Sequence, residues 1–316
     1  MFSLSDLNAA ADLVRKTLPP TPQIRWPLLE ARIGTPVWVK HENHTPIGAF
    51  KIRGGLVFMD SLLKKHPDAK GVIAATRGNH GQGVALAATK AGLTSTVVVP
   101  HGNNPEKNAA MAALGARLIE YGRDFQESLE YAAKLAASEG LHFVPSFDPA
   151  LMLGASTYSK ELLEAVPALD ALYVPIGLGS GICGAITARD ALGRKTEIIG
   201  VSAANAPAYA LSFKAGKPVD ADTNTIADGM ACRVADPRAV EIICKGASRV
   251  ITVSENEIRQ AMKILFTDTH NAAEGAGAAA LAGLIQEREK MRGRTVAVVL
   301  SGANVDNKLF TQVLAS

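Results

Sequence analysis

Residues 71–100 read GVIAATRGNHGQGVALAATKAGLTSTVVVP, and the pattern of this stretch predicts the fold. A short apolar run at residues 72–75 precedes an Ala-rich run of helical period at residues 83–91, and a β-branched run follows at residues 96–99. Short apolar runs that alternate with helical runs are typical of βαβ units, whose strands lie parallel in one sheet. The stretch therefore predicts a strand, a crossover helix and a second parallel strand.

The same alternation extends through the rest of the chain. It predicts further helices near residues 52–63, 107–114, 184–192 and within 271–286, and further strands at residues 117–120, 172–176, 198–201 and 296–300. Two groups of such units are separated by about 50 residues. We therefore predict an α/β fold with two doubly wound domains and mostly parallel sheets.

Composition narrows the class of protein. The 316 residues leave room for two domain-sized units, although one large domain remains an alternative. An apolar fraction of 47% and a net charge of +3 are typical of a soluble α/β protein and argue against a nucleic-acid partner. We find no apolar run of membrane-spanning length and no secretory signal at the start. Three cysteines without metal-ligand spacing or an even count favour a reducing, cytoplasmic location.

Lys51 lies in the segment HTPIGAFKIRGG at residues 44–55, between the apolar side chains of Phe50 and Ile52. A lysine that attacks an aldehyde must be unprotonated, and burial or a nearby positive charge such as Arg53 lowers its pKa. The alternative is a surface lysine at the start of the helix near residues 52–63. Three further glycine-rich segments follow along the chain: TRGNHGQ at 76–82, GLGSG at 177–181 and SGANVD at 301–306.

The order and spacing of these four segments resemble the serine/threonine dehydratase and serine racemase family, the fold-type II (tryptophan-synthase-β-like) enzymes that use pyridoxal 5'-phosphate (PLP). The resemblance runs from about residue 27 to residue 306. It implies a large cofactor-binding domain at residues 1–52 and 149–316, and a small domain at residues 53–148 that carries the carboxylate-binding loop. It also implies that Lys51 is the catalytic residue and forms the Schiff base with PLP.

The resemblance assigns further site residues. The cofactor-binding set is Phe50, Lys51, Asn79, Gly177, Leu178, Gly179, Ser180, Gly181, Gly229 and Ser301. The set for the substrate carboxylate is Thr76, Arg77, Gly78, Asn79 and His80, and Glu274 is a secondary candidate. Asn79 would bind the phenolic oxygen of the cofactor, although a plain N-cap or turn role is the alternative. His80 is better explained as a structural histidine.

The physical properties of these segments agree with such roles. The loop at residues 76–82 precedes a helical run, and helix N-termini bind anions. Residues 179–184 fit the G-x-G-x-x-G pattern of dinucleotide sites, but the strand at 198–201 ends in Ser-Ala-Ala without the acidic residue that binds ribose. We therefore interpret this loop as a phosphate cradle. In the family, the serine matching Ser301 meets the pyridine nitrogen, and a neutral partner there suits β-elimination.

Two departures from the family are informative. Arg77 stands where the racemases have a serine acid/base, and because a guanidinium stays protonated, racemisation is disfavoured. Arg77 could pair with a second substrate carboxylate, as in β-hydroxyaspartate, or could simply face solvent or form an internal ion pair. Some relatives bind Mg²⁺ or Ca²⁺ through acids that residues 202–208 (SAANAPA) lack, so we expect no metal site there.

We therefore predict a PLP-dependent ammonia-lyase, a hydroxy-amino-acid dehydratase of amino-acid catabolism. It would convert L-threonine, L-serine or a relative to a 2-keto acid and ammonia. The alternatives are a serine racemase, a β-hydroxyaspartate dehydratase and a non-catalytic homologue that binds PLP or an amino acid. The resemblance implies a homodimer. The ten residues after Asp306 are too few for the regulatory domain of biosynthetic threonine dehydratases, so we expect no feedback inhibition by isoleucine.

Overall fold

The computed structural model describes residues 2–316, and strands within this range form two sheets. The strands are β1 (Gln23–Arg25), β2 (Val37–His41), β3 (Gly71–Ala75), β4 (Thr94–Val99), β5 (Ala116–Glu120), β6 (His142–Phe143), β7 (Ala171–Pro175), β8 (Glu197–Ala203), β9 (Arg249–Val253) and β10 (Val296–Leu300).

The helices are α1 (Leu4–Arg15), α2 (Pro27–Ile33), α3 (Lys51–Lys65), α4 (Asn79–Lys90), α5 (Pro105–Ala113), α6 (Phe125–Glu139), α7 (Pro149–Ala165), α8 (Ser180–Ala191), α9 (Ala208–Ala215), α10 (Pro237–Gly246), α11 (Glu255–Thr269), α12 (Gly275–Gln286) and α13 (Asn307–Ala315). Short 3₁₀ turns lie at Asp228–Met230 and Arg288–Met291.

Across the described residues, the large sheet has six strands in the order β1-β2-β10-β7-β8-β9, and the small sheet has four in the order β5-β4-β3-β6. Only β1 pairs antiparallel to its neighbour in this part of the chain; the other pairs are parallel. The α/β class with mostly parallel sheets is thereby confirmed. Among residues 2–316, no helix combines the length and the apolar composition that membrane crossing needs.

The central strands are buried along their whole length because helices cover the sheets. All five residues of β3 and of β10 are buried. Helix α12 packs against four strands of the large sheet, and its glycines and alanines let it approach them closely. A Cβ atom added to Gly283 would lie 2.8 Å from the Val201 side chain, so this close packing depends on the missing side chain.

The large sheet takes its strands from residues 23–41 and 171–300, and the small sheet takes its strands from residues 71–143. These positions support the division into residues 1–52 with 149–316 and residues 53–148, which we keep as a proposal. Four helices begin earlier than the pattern predicts: α3 at Lys51, α4 at Asn79, α5 at Pro105 and α8 at Ser180. In α4 and α8 the first turn contains glycine, whose low helix propensity hides the start.

Candidate functional site

A cleft of about 1180 Å³ opens at the carboxyl ends of β3, β7 and β10, where open α/β sheets bind ligands. The loops that follow these strands and the segment at residues 220–234 together supply most of its wall. Every site residue predicted from the sequence lines this one cleft: Phe50, Lys51, Thr76, Arg77, Gly78, Asn79, His80, Gly177, Leu178, Gly179, Ser180, Gly181, Gly229, Glu274 and Ser301.

Lys51 is the first residue of α3, and its ammonium group lies inside the cleft. Its Nζ atom donates a hydrogen bond to Ser180 Oγ at 3.2 Å and lies 4.9 Å from the centroid of the Phe50 ring. Burial lowers the pKa of Lys51 to about 8, against the opposing negative charge of Glu274. About a tenth of the amine is therefore unprotonated at pH 7 and available as a nucleophile or base, far more than for an ordinary lysine.

The loop before Lys51 is attached to the end of β10. The Phe50 N–H donates to the carbonyl oxygen of Ser301 at 3.1 Å, and Ala49 forms an antiparallel bridge with Gly302. The Ser301 side chain is buried and lines the cleft. This attachment places a neutral hydroxyl and the Lys51 amine on the wall of the same cleft.

The loop at residues 177–181 forms the N-terminal end of α8. Gly179 has a left-handed φ of +96°, which disfavours any residue with a side chain. A Cβ atom on Gly177 would lie 2.2 Å from the carbonyl oxygen of Gly229, so these two backbones touch. The free N–H groups of the first turn of α8 and the Ser180 hydroxyl make this end of the cleft suitable for a phosphate.

Asn79 begins α4 and directs its amide at the opposite wall of the cleft rather than at its own helix. Its Nδ2 atom donates to Glu274 Oε1 at 2.6 Å, and its Oδ1 atom accepts from Asn304 Nδ2 at 2.7 Å. Gly78 occupies the N-cap position, so the N-cap interpretation of Asn79 is wrong. The first N–H groups of α4 remain free for an anion such as a substrate carboxylate.

Glu274 is buried immediately before α12. Burial and the negative charge of Asp228 raise its pKa to about 7, against the opposing effect of Lys107 and of the hydrogen bond from Asn79. Lys107 forms an ion pair with Asp228 across the cleft. Lys107 was not predicted as a site residue because no motif surrounds it, and Asp228 was given no role although its neighbour Gly229 was predicted to bind the cofactor.

Arg77 is exposed at the cleft wall, and its backbone carbonyl oxygen accepts a hydrogen bond from Asn103. In the part of the chain that the structure describes, its guanidinium belongs to no ion pair. The internal ion-pair alternative for Arg77 is therefore wrong. Its charge is available to a ligand of the cleft.

His80 has a different character. Burial and the nearby charge of Lys51 lower the pKa of His80 to about 3, against the opposing effect of a hydrogen bond to the Val144 backbone, so its imidazole is neutral. Over residues 2–316, its buried Nε2 atom finds no hydrogen-bond partner. A neutral imidazole with such a low pKa is a poor proton donor or acceptor near pH 7.

Among residues 2–316, no group of three or more His, Cys, Asp or Glu side chains is arranged to hold a metal ion.

These features fit PLP. The cofactor carries an aldehyde, a phosphate and a pyridine nitrogen, and the cleft offers a buried amine of lowered pKa, an anion-binding helix end and a buried hydroxyl. Fold and cleft together define an α/β enzyme that holds an anionic carbonyl cofactor on a lysine. A family model described as "Pyridoxal-phosphate dependent enzyme" matches residues 14–302. The chain belongs to this family.

Individual relatives agree with this assignment. The chain is 38% identical to an L-threonine ammonia-lyase of Geobacter sulfurreducens, over 99% of this chain and 78% of the relative. It is 33% identical to an L-threo-3-hydroxyaspartate ammonia-lyase of Saccharomyces cerevisiae, over 98% of this chain and 95% of the relative. The solved structure of processed threonine deaminase isoform 2 from Solanum lycopersicum superposes with a TM-score of 0.93 at 30% identity, covering 99% of this chain and 86% of that one.

Proposed function

We propose that this enzyme is a PLP-dependent ammonia-lyase that eliminates water from a β-hydroxy amino acid, with L-threonine or L-serine as substrate, and releases a 2-keto acid and ammonia. The observation that carries the proposal is the Lys51 amine, whose pKa is lowered to about 8 by burial in a cleft with two helix N-termini. The similarity to L-threonine ammonia-lyase over 99% of the chain supports the reaction class.

In this reaction each part of the cleft would have a separate role. The first turn of α4 orients the substrate carboxylate, and the N–H groups of residues 177–181 hold the cofactor phosphate. Lys51 would hold the cofactor through its amine and would act as the general base that takes the α-proton. Ser301 would offer the cofactor a neutral hydroxyl. When bound, PLP supplies the electron sink that makes the α-proton acidic.

A lysine of lowered pKa suits the role of general base. An amine with a pKa of about 8 exchanges protons near physiological pH, whereas an ordinary lysine with a pKa near 10.4 stays protonated there. Arg77 cannot serve as a second base on the opposite cofactor face, because a guanidinium stays protonated. Elimination, which needs one base at the α-carbon, is therefore favoured over racemisation.

L-threo-3-hydroxyaspartate is the second candidate substrate. Arg77 is an unpaired cation at the wall of the cleft among the described residues, and the fork of a guanidinium matches a carboxylate. One relative that is 33% identical over 98% of the chain is an ammonia-lyase for this hydroxyaspartate. A β-carboxylate on the substrate would give Arg77 a partner.

The test is a substrate panel with purified holoenzyme. L-threonine, L-serine and L-threo-3-hydroxyaspartate are assayed for 2-keto acid and ammonia in equal amounts, and L-serine is also assayed for formation of D-serine. We expect stoichiometric keto acid and ammonia from at least one of them. D-serine formation faster than ammonia release would favour a racemase. Absence of both reactions, with PLP bound, would favour a binding protein without turnover.

Two properties of the whole protein are part of the proposal. We propose a cytoplasmic homodimer, since the cysteine content fits a reducing compartment and the family resemblance implies a dimer. Light scattering after gel filtration should give twice the chain mass of 33.1 kDa. A mass of one chain at micromolar concentration would contradict the dimer.

A further inference from the structure

Three hydrogen bonds connect Glu274, Asn79, Asn304 and the backbone carbonyl of Ile47 at the cleft wall. Asn304 Nδ2 donates both to the carbonyl oxygen of Ile47 at 2.8 Å and to Asn79 Oδ1 at 2.7 Å. Asn79 Nδ2 then donates to Glu274 Oε1 at 2.6 Å. The Asn79 side chain is thus held from both ends.

The Ile47 carbonyl oxygen determines which way the side-chain amides of Asn304 and Asn79 are oriented. A backbone carbonyl oxygen only accepts, so the Asn304 side chain must place its nitrogen next to Ile47. That nitrogen also faces Asn79, so the oxygen of the Asn79 amide must face Asn304, and its nitrogen must face Glu274. A flipped Asn79 amide would set nitrogen against nitrogen at 2.7 Å and oxygen against carboxylate at 2.6 Å. The network therefore permits one orientation.

We infer that Glu274 and Asn304 are positioning residues that fix the Asn79 amide as a hydrogen-bond donor toward the cofactor. This inference rests on the proposed role of Asn79. An asparagine amide has two N–H groups. Glu274 takes one of them, and Asn304 occupies the oxygen, so the group left for a ligand of the cleft is the second N–H. A phenolic oxygen accepts from such a donor.

The arrangement also connects two parts of the fold. Asn79 lies on α4 beside the small sheet, whereas Glu274 and Asn304 lie before α12 and after β10 beside the large sheet. The Glu274 N–H donates to the carbonyl oxygen of Gly302 at 3.1 Å, so both positioning residues are attached to the same turn. A small movement of α4 away from this turn would break both bonds to Asn79 together.

The test compares Glu274→Gln, Glu274→Leu, Asn304→Ala and Asn79→Ala, with Asn103→Ala as control. Asn103 is a partly buried amide in the neighbouring loop, donates to the Arg77 carbonyl oxygen and to Asn108 Oδ1, and lies outside the network. Two quantities are measured besides turnover: the dissociation constant of PLP, and the midpoint of the pH titration of the bound cofactor's visible absorption band.

We expect Glu274→Leu, Asn304→Ala and Asn79→Ala each to weaken PLP binding about threefold to tenfold, as loss of one net hydrogen bond predicts, and to shift the titration midpoint. Glu274→Gln can still place an oxygen next to Asn79, so its PLP affinity should stay within about twofold of wild type, less than one net hydrogen bond. Asn103→Ala should match wild type. In the Asn79→Ala background, Asn304→Ala should add nothing, since it acts through Asn79. In the same background Glu274→Leu should match Glu274→Gln, because both remove the charge that acts on Lys51 directly and neither has an Asn79 amide to orient.

Three results would overturn the inference: an additive effect of Asn304→Ala in the Asn79→Ala background, a loss of PLP affinity in Glu274→Gln equal to that in Glu274→Leu when Asn79 is present, or an unchanged PLP affinity and titration midpoint in Asn304→Ala. An unchanged PLP affinity and titration midpoint in Asn79→Ala would contradict the proposed role of Asn79 itself. None of these depends on turnover. Failure of the proposed lyase reaction would instead appear as a wild-type protein that binds PLP but releases no ammonia.

Discussion

Replacing Arg53 by methionine should destabilise the protein strongly, because this arginine completes a buried ionic cluster at the start of α3. Arg53 is fully buried in α3, two residues after Lys51. Its guanidinium donates to Glu42 at 2.7 and 3.0 Å and to Glu161 at 2.7 and 2.9 Å. Lys40 donates to the same Glu161 at 2.6 Å. Two cations thus face two carboxylates.

Methionine keeps much of the apolar length of the arginine but removes its charge. Glu42 and Glu161 would then share one ammonium group, that of Lys40, in the buried interior. Removing one partner of a buried ion pair costs about 3–5 kcal/mol. With about 2.1 cal/mol/K of unfolding entropy per residue, a chain of 316 residues would lose about 5–8 °C of melting temperature.

The pH dependence of the loss gives a sharper test. Burial raises the pKa of Glu161, but the hydrogen bonds and charge of Arg53 outweigh burial and hold it below its ordinary value. The wild-type contribution is therefore present above the unfolded pKa of about 4.3 and is lost as pH falls below it. Without Arg53, burial should raise the pKa, so the contribution of Glu161 is present at low pH and is lost as pH rises.

The assay is urea unfolding of wild type and Arg53→Met at pH 5 and pH 8, with PLP saturating. The difference in free energy of unfolding should be larger at pH 8. Lys245→Met serves as the control, because Lys245 and its partner Glu241 are about two-thirds exposed and such a pair contributes little. A loss below about 1 kcal/mol, or the same loss at both pH values, would refute this account of the cluster, for which breaking a buried pair predicts more.

Four further predictions concern Lys51, Arg77 and metal binding. Lys51→Ala should lose the visible absorption band of bound PLP and all keto acid release, and an undiminished rate would exclude Lys51 as the base. In the apoprotein, the rate of PLP attachment to Lys51 should rise with pH through about 8, since only the neutral amine reacts, and a midpoint near 10.4 would contradict the effect of burial. Arg77→Ala should cost L-threo-3-hydroxyaspartate about 2–5 kcal/mol in kcat/KM and threonine much less, and an equal loss for both would limit Arg77 to supporting the loop. EDTA should leave activity and melting temperature unchanged because residues 202–208 carry no carboxylate, and loss of stability restored by Mg²⁺ would show a metal site.

Most of the strands that were identified from the sequence carry no charge, although β5 (ARLIE) was identified with two, and the two longest strands that were missed each contain a cation. β3, β7 and β10 are continuous apolar runs, and that pattern is sufficient for a buried parallel strand. β2 reads VWVKH and β9 reads RVITV, and each contains a cation that a sequence pattern assigns to the surface. Lys40 of β2 is nevertheless buried, because Glu161 of α7 neutralises it from 121 residues away. Only the folded chain supplies that partner.

Helix starts were missed for a related reason. Glycine lowers helix propensity, so a pattern that looks for good helix formers begins α4 at residue 83 and α8 at residue 184. The structure places glycines inside both helices because neighbouring backbones come close to them. A Cβ atom on Gly83 would lie 3.0 Å from the Lys51 carbonyl carbon, and one on Gly184 would lie 2.8 Å from the Ser156 nitrogen. These glycines are needed for packing between helices, which local propensity does not describe.

The contrast between local pattern and tertiary packing also applies to the site residues. It separates those that were predicted from those that were missed. Lys51, Asn79 and Ser301 lie within short motifs at the ends of elements, so local pattern was sufficient to name them. Lys107 lies outside every quoted motif, and Asn304 lies in the same SGANVD motif as Ser301 but was given no role there. Asn304 reaches Asn79 across 225 residues of sequence, and only because parallel pairing of β10 with β2 brings the turn after β10 beside the loop that leads to Lys51. A residue that acts by orienting another is therefore specified by the tertiary packing of distant segments, which the local pattern around that residue does not describe.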